Sequence, residues 1–332
     1  MVLFGLFIGV ALAIDLGVIG ALTRLFGRRR STLPSGGGPL SLHSADTFRQ
    51  GLIWTIVWMG LAAVFAVIIF VQMGYVKMLE FVTCYAVEKS LSVDNMFVFL
   101  LIFSSLGIPH AFQHRVLSVG ILSAIAMRIP LIIVGVSLLE TFHWMVYLFG
   151  GMLVLTAARM MLQKKEKKIE IEKNVAVRLL KKLLPVSTEL HDGKFFARIN
   201  NILYATPLLV ALVIIEVTDL VFAIDSIPAV LAITTDQFIV VTSNIFAILG
   251  LRSLYFLLAG MMEKFRYLKP ALVVLLLFIG IKMMLADVIH IPVAASLAVI
   301  AAILGGALAL SVVNAKRERQ TKLANSHEPQ KR

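Results

Sequence analysis

The sequence predicts an all-α, polytopic membrane protein with nine transmembrane helices. Of its 332 residues, 59% are hydrophobic and 15% are charged, whereas about a quarter of the residues of soluble domains are charged. Apolar stretches of about 20 residues can cross the roughly 30 Å hydrocarbon core of a bilayer as helices. Nine such stretches occur: 2–22, 52–74, 80–106, 115–138, 143–162, 203–227, 238–260, 270–288 and 292–313.

The basic residues indicate an odd number of spans and give their orientation. Lys and Arg outnumber Asp and Glu by 31 to 19, a formal net charge of +12. With the N-terminus outside and the C-terminus cytoplasmic, the basic clusters after spans one, five, seven and nine lie in the cytoplasm, as the positive-inside rule requires. Lys77 then falls in an outside loop. The positive charge is therefore a signal of topology, and nucleic acid is not expected as a partner.

The predicted topology divides the chain into five segments. They are the first helix and a linker, 1–50; helices two to five, 51–162; a basic cytoplasmic loop, 163–200; helices six to eight, 201–290; and the ninth helix with a basic tail, 291–332. In the loop, residues 175–184 interleave apolar side chains with Arg178, Lys181 and Lys182. That pattern fits either a helix on the anionic inner leaflet or a solvated linker.

Two spans carry carboxylates where lipid-embedded helices are normally apolar. The third span contains Glu88 and Asp94, and the sixth contains Glu216, Asp219 and Asp225. Each costs roughly 2.5–3.5 kcal/mol at the membrane centre, so the five together approach ~15 kcal/mol before pairing or protonation. A cost of that size favours a functional site within the membrane.

Ion pairing inside the protein is the structural alternative. Lys89, Arg128, Arg252 and Lys282 also lie within spans and could neutralise some of the acids. These bases are spread over four helices whereas the acids are concentrated in two, so pairing alone explains the pattern less well. We nevertheless expect Arg128 or Arg252 to be a counter-ion for part of the cluster.

The spacing of the acids excludes one straight helix face as the site. Glu216 and Asp219 are three residues apart and share a face, but Asp225 lies six residues beyond Asp219, about 120° around the helix. The acids therefore converge from several sides of one cavity, or the helices unwind locally. Pro228 predicts a break after Asp225, because proline disfavours helix at the residue before it. In span three, Ser90 and Ser92 offer hydroxyls to a loosened turn.

The two acidic motifs share a pattern that indicates an internal repeat. Each has an acid, five residues, an aspartate and then a small amide or hydroxyl residue: Glu88…Asp94-Asn95 and Asp219…Asp225-Ser226. A span with an embedded arginine (Arg128 or Arg252) and an aromatic-glycine span (148–151 or 277–280) follow in each half. Spans three to five thus correspond to spans six to eight, inverted because three is odd. Such inverted repeats are typical of secondary transporters.

The polar residues of the motifs predict an ion site. Its expected ligands are Glu88, Asp94, Asn95, Glu216, Asp219, Asp225 and Ser226. Carboxylate, amide and hydroxyl oxygens suit hard cations such as Mn²⁺, Mg²⁺ or Ca²⁺, and the motifs contain no Cys or His. We assign no catalytic residue and expect a transporter rather than an enzyme.

At these residues the sequence closely resembles the TerC/Alx family of integral membrane proteins. The motifs that carry the resemblance are Glu88-Lys-Ser-Leu-Ser-Val-Asp-Asn95, Glu216-Val-Thr-Asp-Leu-Val-Phe-Ala-Ile-Asp-Ser-Ile-Pro-Ala229, Thr242-Ser-Asn-Ile-Phe-Ala-Ile-Leu-Gly-Leu-Arg-Ser253 and Phe278-Ile-Gly-Ile-Lys-Met-Met284. Tyr204-Ala-Thr-Pro-Leu208 is closer to the Alx branch. The resemblance covers essentially the whole chain. It implies a multi-pass protein of the bacterial inner membrane that exports Mn²⁺, with the motif acids as metal ligands, in a family named for tellurium resistance.

Three functions are compatible with these residues. A secondary Mn²⁺ exporter would bind the ion between the repeats and release it outward, and proton uptake by a carboxylate is one means of release. An intramembrane aspartyl protease would pair Asp94 with Asp225, but neither lies in a Gly-x-Gly-Asp context. A membrane component of tellurite or metal-stress resistance without transport would use the 163–200 loop for docking. Cation selectivity, proton coupling, stoichiometry, oligomeric state and protein partners are left open.

Overall fold

The structure is a computed structural model and describes residues 41–162, 175–187, 189–199, 201–259, 268–289 and 291–326. The predicted first span, 2–22, lies outside the described residues. So do the basic clusters at 24–30 and 164–168, and part of the basic segment after predicted span seven, 260–267.

The described chain is largely helical. Its elements are α1 Ser41–Met73, α2 Tyr75–Ser105, α3 His110–Thr141, α4 Met145–Leu162, α5 Val175–Leu183, β1 Phe196–Ile199, β2 Ile202–Ala205, α6 Pro207–Leu231, α7 Gln237–Ile248, α8 Leu251–Ala259, α9 Leu268–Met284 and α10 Val293–Ser326. A single 3₁₀ turn, His191–Gly193, precedes β1.

Several of these helices are long and apolar enough to cross a membrane. Within the described residues there are five: Arg49–Met73, His110–Thr141, Met145–Leu162, Pro207–Leu231 and Val293–Ser311. The pair α7 and α8, bent by 41° at their junction, makes a sixth if it counts as one broken span. Helix α9 is apolar but shorter, and α2 is 31 residues long with five charged residues. The described chain is thus a polytopic membrane protein, and the number nine stays a prediction.

A small β-hairpin departs from the all-α prediction. Strands β1 and β2 pair antiparallel, with Phe196 opposite Ala205 and Ile199 opposite Ile202. Predicted span six was expected to begin at 203, but that residue lies in β2. The helix begins at Pro207 instead, because proline has no N–H to leave unpaired in a first helical turn.

The two motif helices are continuous where breaks were expected. Helix α6 runs through Pro228 to Leu231, so the predicted break after Asp225 is wrong. Helix α2 likewise continues through Ser90 and Ser92. Pro228 lies in the last turn of α6, where its missing N–H removes only one bond, whereas unwinding in a membrane would expose several unpaired backbone groups.

The chain breaks in predicted span seven instead. Helices α7 and α8 are separated by Leu249 and Gly250, and Gly250 has a φ of +83°. A Cβ at Gly250 would lie 2.8 Å from the ring of Trp58, so both the backbone angle and the contact with α1 require glycine here. The break ends the first half of the span beside the centre of the bundle.

Helix pairs organise the bundle. Helix α2 packs on α7, α3 packs on α6, and α4 packs on α9, while α1 covers α2 and α8. An aromatic cluster joins α1, α2 and α7, with ring centroids of Phe65 and Phe246 4.7 Å apart and those of Phe65 and Phe81 5.3 Å apart. A second core joins α2 to α8 through Phe103 and Tyr255, 5.6 Å apart.

Loops alternate between the two ends of the bundle. At one end, Lys77 Nζ lies 2.9 Å from Asp236 Oδ2, which joins the start of α2 to the loop before α7. At the other end, Arg115 Nη1 donates to the Gly193 carbonyl at 3.0 Å, which joins the start of α3 to the segment before the hairpin. By the predicted orientation, the first end is outside and the second is cytoplasmic.

The predicted cytoplasmic loop contains α5. Val177 of this helix is buried and the helix packs against α6, whereas Leu179 and Leu183 are exposed. Arg178, Lys181 and Lys182 are exposed as well. Residues 175–183 thus form an amphipathic helix packed on α6, and its contact with an inner leaflet stays a prediction.

Helices α4 and α9 approach closely at two glycines. A Cβ built on Gly150 would lie 2.9 Å from the Gly280 carbonyl oxygen, and a Cβ on Gly280 would lie 2.9 Å from that of Gly150. The two backbones therefore touch, as small residues allow in membrane helix pairs.

We predict that Gly150→Ala lowers the stability of the folded protein by about 1–3 kcal/mol, because the new methyl overpacks this crossing. Gly151→Ala is the matched control, since a Cβ at Gly151 would meet nothing within 4 Å. Unfolding midpoints in detergent measure both. Equal effects of the two substitutions would contradict the close approach, because both gain the same helix propensity.

We also predict an acid-dependent contribution from Asp236, which caps α7 by accepting from the amides of Phe238 and Ile239. Burial raises the pKa of Asp236, but the hydrogen bonds from Lys77 and from these amides outweigh it and lower the pKa. A lowered folded-state pKa means that this stability is present above about pH 4 and is lost as the pH falls through the folded pKa.

The measurement is the unfolding midpoint between about pH 2 and 6, the window around an ordinary aspartate pKa. Asp236→Asn should flatten part of the acid decline seen in the wild type, and Glu140→Gln, an exposed acid at the same end, should leave it intact. An Asp236→Asn curve parallel to the wild-type curve would refute this role.

Candidate functional site

A buried guanidinium joins two carboxylates from the two acidic motifs. Arg128 of α3 donates from Nη1 to Glu88 Oε2 at 2.9 Å. It also donates to Asp219, from Nη2 to Oδ1 at 3.0 Å and from Nε to Oδ2 at 3.3 Å. Arg128, Glu88 and Asp219 are 2%, 1% and 5% exposed. The expectation that Arg128 is a counter-ion is confirmed.

This group, which we call the Arg128 triad, is also structural. Removing one partner from a buried ion pair leaves an uncompensated charge, at a cost of about 3–5 kcal/mol. The forked contact to Asp219 uses the planar geometry that distinguishes arginine from lysine. The triad ties α2 and α3 to α6, with a net charge of −1 when its carboxylates are ionised.

Asn244 is a fourth buried residue in contact with the triad, and it was not predicted as a site residue. Its Nδ2 donates to Glu88 Oε1 at 2.7 Å, and the residue is 2% exposed. A carboxylate only accepts hydrogen bonds, so the amide nitrogen must face Glu88. The other atom of the amide, Oδ1, is buried without a hydrogen-bond partner. The sequence signal is an asparagine in an apolar span, within one of the motifs that carry the family resemblance.

Glu216 lies one helical turn before Asp219 and faces a small cavity. Ser123 Oγ donates to Glu216 Oε1 at 2.5 Å, and Oε2 is buried without a hydrogen-bond partner. The cavity has a volume of about 20 Å³, room for about one water molecule, and its polar lining is Glu216, Asp219 and Arg252. Its other walls are apolar side chains of α2, α3, α6 and α8. Gly120 makes room here, since a Cβ would lie 3.3 Å from Glu216 Oε1.

Asp225 and Ser226 lie away from the Arg128 triad. Thr156 Oγ1 of α4 donates to Asp225 Oδ1 at 3.0 Å, so Asp225 faces α4 while Asp219 faces α3. This is the 120° rotation that six residues of continuous helix impose. Ser226 is buried, and its Oγ has no hydrogen-bond partner.

Asp94 and Asn95 follow Glu88 along α2. Asp94 is half-buried and Asn95 is buried. They lie about 9–10 Å beyond Glu88 along the helix axis. In the described part of the chain, no three Asp, Glu, His or Cys side chains are grouped so that they could hold a metal ion. The structure therefore brings Glu88 and Asp219 together, and the seven-residue ligand set stays a prediction.

A polar vestibule opens at the end of the bundle where Lys77 meets Asp236. Its lining includes Lys77, Glu80, Glu140, Thr234 and Asp236, around a volume of about 650 Å³. Lys77 Nζ also contacts Glu80 Oε2 at 3.0 Å, and Thr234 donates to the same oxygen at 2.8 Å. The sequence had indicated no role for Glu80 or Glu140.

Helix α2 passes all three polar features in order. Glu80 lines the vestibule, Glu88 belongs to the triad, and Met96 lines the Glu216 cavity. Successive positions are eight residues apart, about 12 Å along a helix. The triad therefore lies between the vestibule and the cavity, roughly midway along the bundle.

Comparison with known proteins agrees with the resemblance. Residues 73–319 match the integral membrane protein TerC family. An uncharacterized membrane protein of Myxococcus xanthus is 47% identical over 269 residues, which cover 81% of this chain and 84% of that protein. No solved structure matches the chain.

Other relatives carry the name membrane-bound redox modulator Alx. The Photorhabdus laumondii protein is 44% identical over 81% of this chain and 87% of its own length. The Escherichia coli K12 protein is 44% identical over 78% of this chain and 83% of its own length. The family match and these identities span most of the chain, which therefore belongs to the integral membrane protein TerC family.

Proposed function

We propose that the protein is a secondary transporter that exports Mn²⁺ across the bacterial inner membrane. The observation that carries the proposal is the meeting of carboxylates from both motif helices in the middle of the bundle. Glu88 and Asp219 share the guanidinium of Arg128, and Glu216 lies beside Asp219 at a small cavity.

The proposal includes nine spans in which spans three to five repeat, inverted, as spans six to eight. The corresponding helices are α2 to α4 and α6 to α9. Their packing supports a two-fold relation, since α2 packs on α7 as α6 packs on α3, and α4 packs on its counterpart α9. The mutual approach of Gly150 and Gly280 adds to this support.

The same relation suggests which residues correspond across the repeats. Glu88 receives a hydrogen bond from Asn244 of α7, as Asp219 receives one from Arg128 of α3. These contacts favour Asn244 as the counterpart of Arg128. Arg252, the counterpart expected from the sequence, lies beyond the break and donates to Ser118 at 3.0 Å.

The proposed path follows α2. In the predicted orientation, a cytoplasmic ion would reach the Glu216 cavity first, the Arg128 triad next, and the vestibule around Glu80 and Asp236 last. Inverted-repeat transporters bind their substrates near the midplane, between the repeats. Asp94, Asn95, Asp225 and Ser226 are proposed to complete the oxygen ligands as the repeats move. The ligand set suits Mn²⁺ as a hard cation.

The name of the Alx relatives suggests redox activity as a second function. A cysteine pair is the usual protein group for reversible thiol chemistry. This chain has a single cysteine, Cys84, which is fully buried. We therefore do not propose thiol-disulfide exchange within this chain, and ion transport accounts better for the buried acids.

We predict that Glu216→Gln and Asp225→Asn raise cellular manganese under manganese load, because each removes a proposed carboxylate ligand of the ion. Cells lacking the protein and complemented with either variant should approach the manganese content of uncomplemented cells. Elemental analysis of washed cells is the measurement, with immunoblots to match membrane abundance. Asp287→Asn, an exposed acid in a loop, is the control and should retain export. Wild-type manganese content in both variants would overturn the assignment.

A further inference from the structure

We propose that Arg128 is the gate of this ion path. Arg128 pairs with Asp219 while the site is free of metal. This ion pair breaks when a divalent cation from the Glu216 cavity binds Asp219. The inference rests on the proposed function and deepens it by assigning a role to a residue that is not itself a metal ligand. Arg128 is thus a positioning residue for the two carboxylates.

The position of Asp219 supports this role. Arg128 makes one hydrogen bond to Glu88 and two to Asp219, and only Asp219 of these two carboxylates borders the cavity. A cation arriving there therefore meets a carboxylate that the guanidinium already holds. The guanidinium of Arg128 and the metal ion need the same carboxylate oxygens, so they compete for Asp219.

Glu216 provides the second ligand for the incoming ion. It precedes Asp219 by three residues, which places the two carboxylates on one face with Cβ atoms about 5–6 Å apart. Glu216 Oε2 is buried without a hydrogen-bond partner. A cation between Glu216 and Asp219 would give that oxygen a partner.

Arg128 keeps a partner after the exchange. It remains paired with Glu88 at its 2.9 Å contact. The guanidinium is therefore not left as an unpaired charge in the membrane interior, where unpaired charge is costly.

Asn244 keeps Glu88 in place during the exchange. Its Nδ2 holds Glu88 Oε1 at 2.7 Å, on the oxygen that Arg128 does not contact. Glu88 and Arg128 belong to α2 and α3, whereas Asp219 belongs to α6. Release of Asp219 therefore frees α6 from its ion pair with α3, while Glu88 stays bonded to Arg128 of α3 and to Asn244 of α7.

The test is equilibrium Mn²⁺ binding to the purified full-length protein in lipid nanodiscs, followed by the loss of the free Mn²⁺ electron paramagnetic resonance signal. If the guanidinium occupies Asp219 in about 90% of metal-free molecules, Arg128→Gln should bind Mn²⁺ about tenfold more tightly. The same variant should export less Mn²⁺ from cells, because the gate no longer displaces the ion. If the role of Arg128 were purely structural, its substitution would not raise the affinity for Mn²⁺ while lowering export.

Three further variants complete the test. Arg128→Lys keeps a cation but loses the fork, so it should bind Mn²⁺ more tightly than wild type, by a smaller factor than Arg128→Gln. Asp219→Asn should bind much more weakly. Lys282→Gln removes a half-buried cation that lines a different cavity, and it should bind like wild type. Size-exclusion profiles and unfolding midpoints identify variants that do not fold.

The outcomes separate the two proposals. A folded Arg128→Gln protein that binds Mn²⁺ no more tightly than wild type overturns the gate and leaves the transporter standing. If Arg128→Gln does not fold, Arg128→Lys decides, and wild-type affinity in that variant overturns the gate. Failure of the wild type to bind Mn²⁺ overturns the proposed function and the gate with it.

Discussion

The contact of one guanidinium with two carboxylates in the middle of the bundle is the constraint around which the structure is arranged. Arg128, Glu88 and Asp219 are almost fully buried, in helices that are otherwise largely apolar. Lipid cannot solvate such groups, so every one of them must find its partner inside the protein. That requirement brings α3 against α6 and α2 against α7. It also explains why polar residues such as Asn244 and Ser123 lie on these particular faces.

The remaining acids are held more loosely. Glu216 has one hydroxyl partner and one unpartnered oxygen, and Asp225 is bonded by a single threonine. A folded protein normally satisfies nearly all of its buried polar atoms, so unpartnered oxygens beside a cavity favour a binding role over a purely structural one. Firmly paired carboxylates at the centre, with incompletely hydrogen-bonded carboxylates beside them, suit a site that binds a cation transiently.

Sequence reasoning could predict the chemistry of this region better than its geometry. Carboxylates in apolar spans are conspicuous, and a buried arginine was expected among them, so Glu88, Asp219 and Arg128 were accessible. The sequence could not show which acids would meet, because that depends on the rotation of each helix. The continuous α6 turns Asp225 towards α4. The break expected at Pro228 occurs at Gly250 instead, since a proline in a last turn is tolerated whereas the Trp58 contact needs a glycine. Asn244 was missed because a single amide carries no charge signal.

The proposed transport of a divalent metal ion is measured by uptake of Mn²⁺ into inside-out vesicles, compared with Mg²⁺ and Ca²⁺, with and without an imposed pH gradient. If the protein exports Mn²⁺, vesicles that contain it should take up more Mn²⁺ than vesicles that lack it, and Asp219→Asn should abolish the difference. Uptake by wild-type vesicles that equals uptake by vesicles lacking the protein, with the protein present and folded, would contradict the proposal.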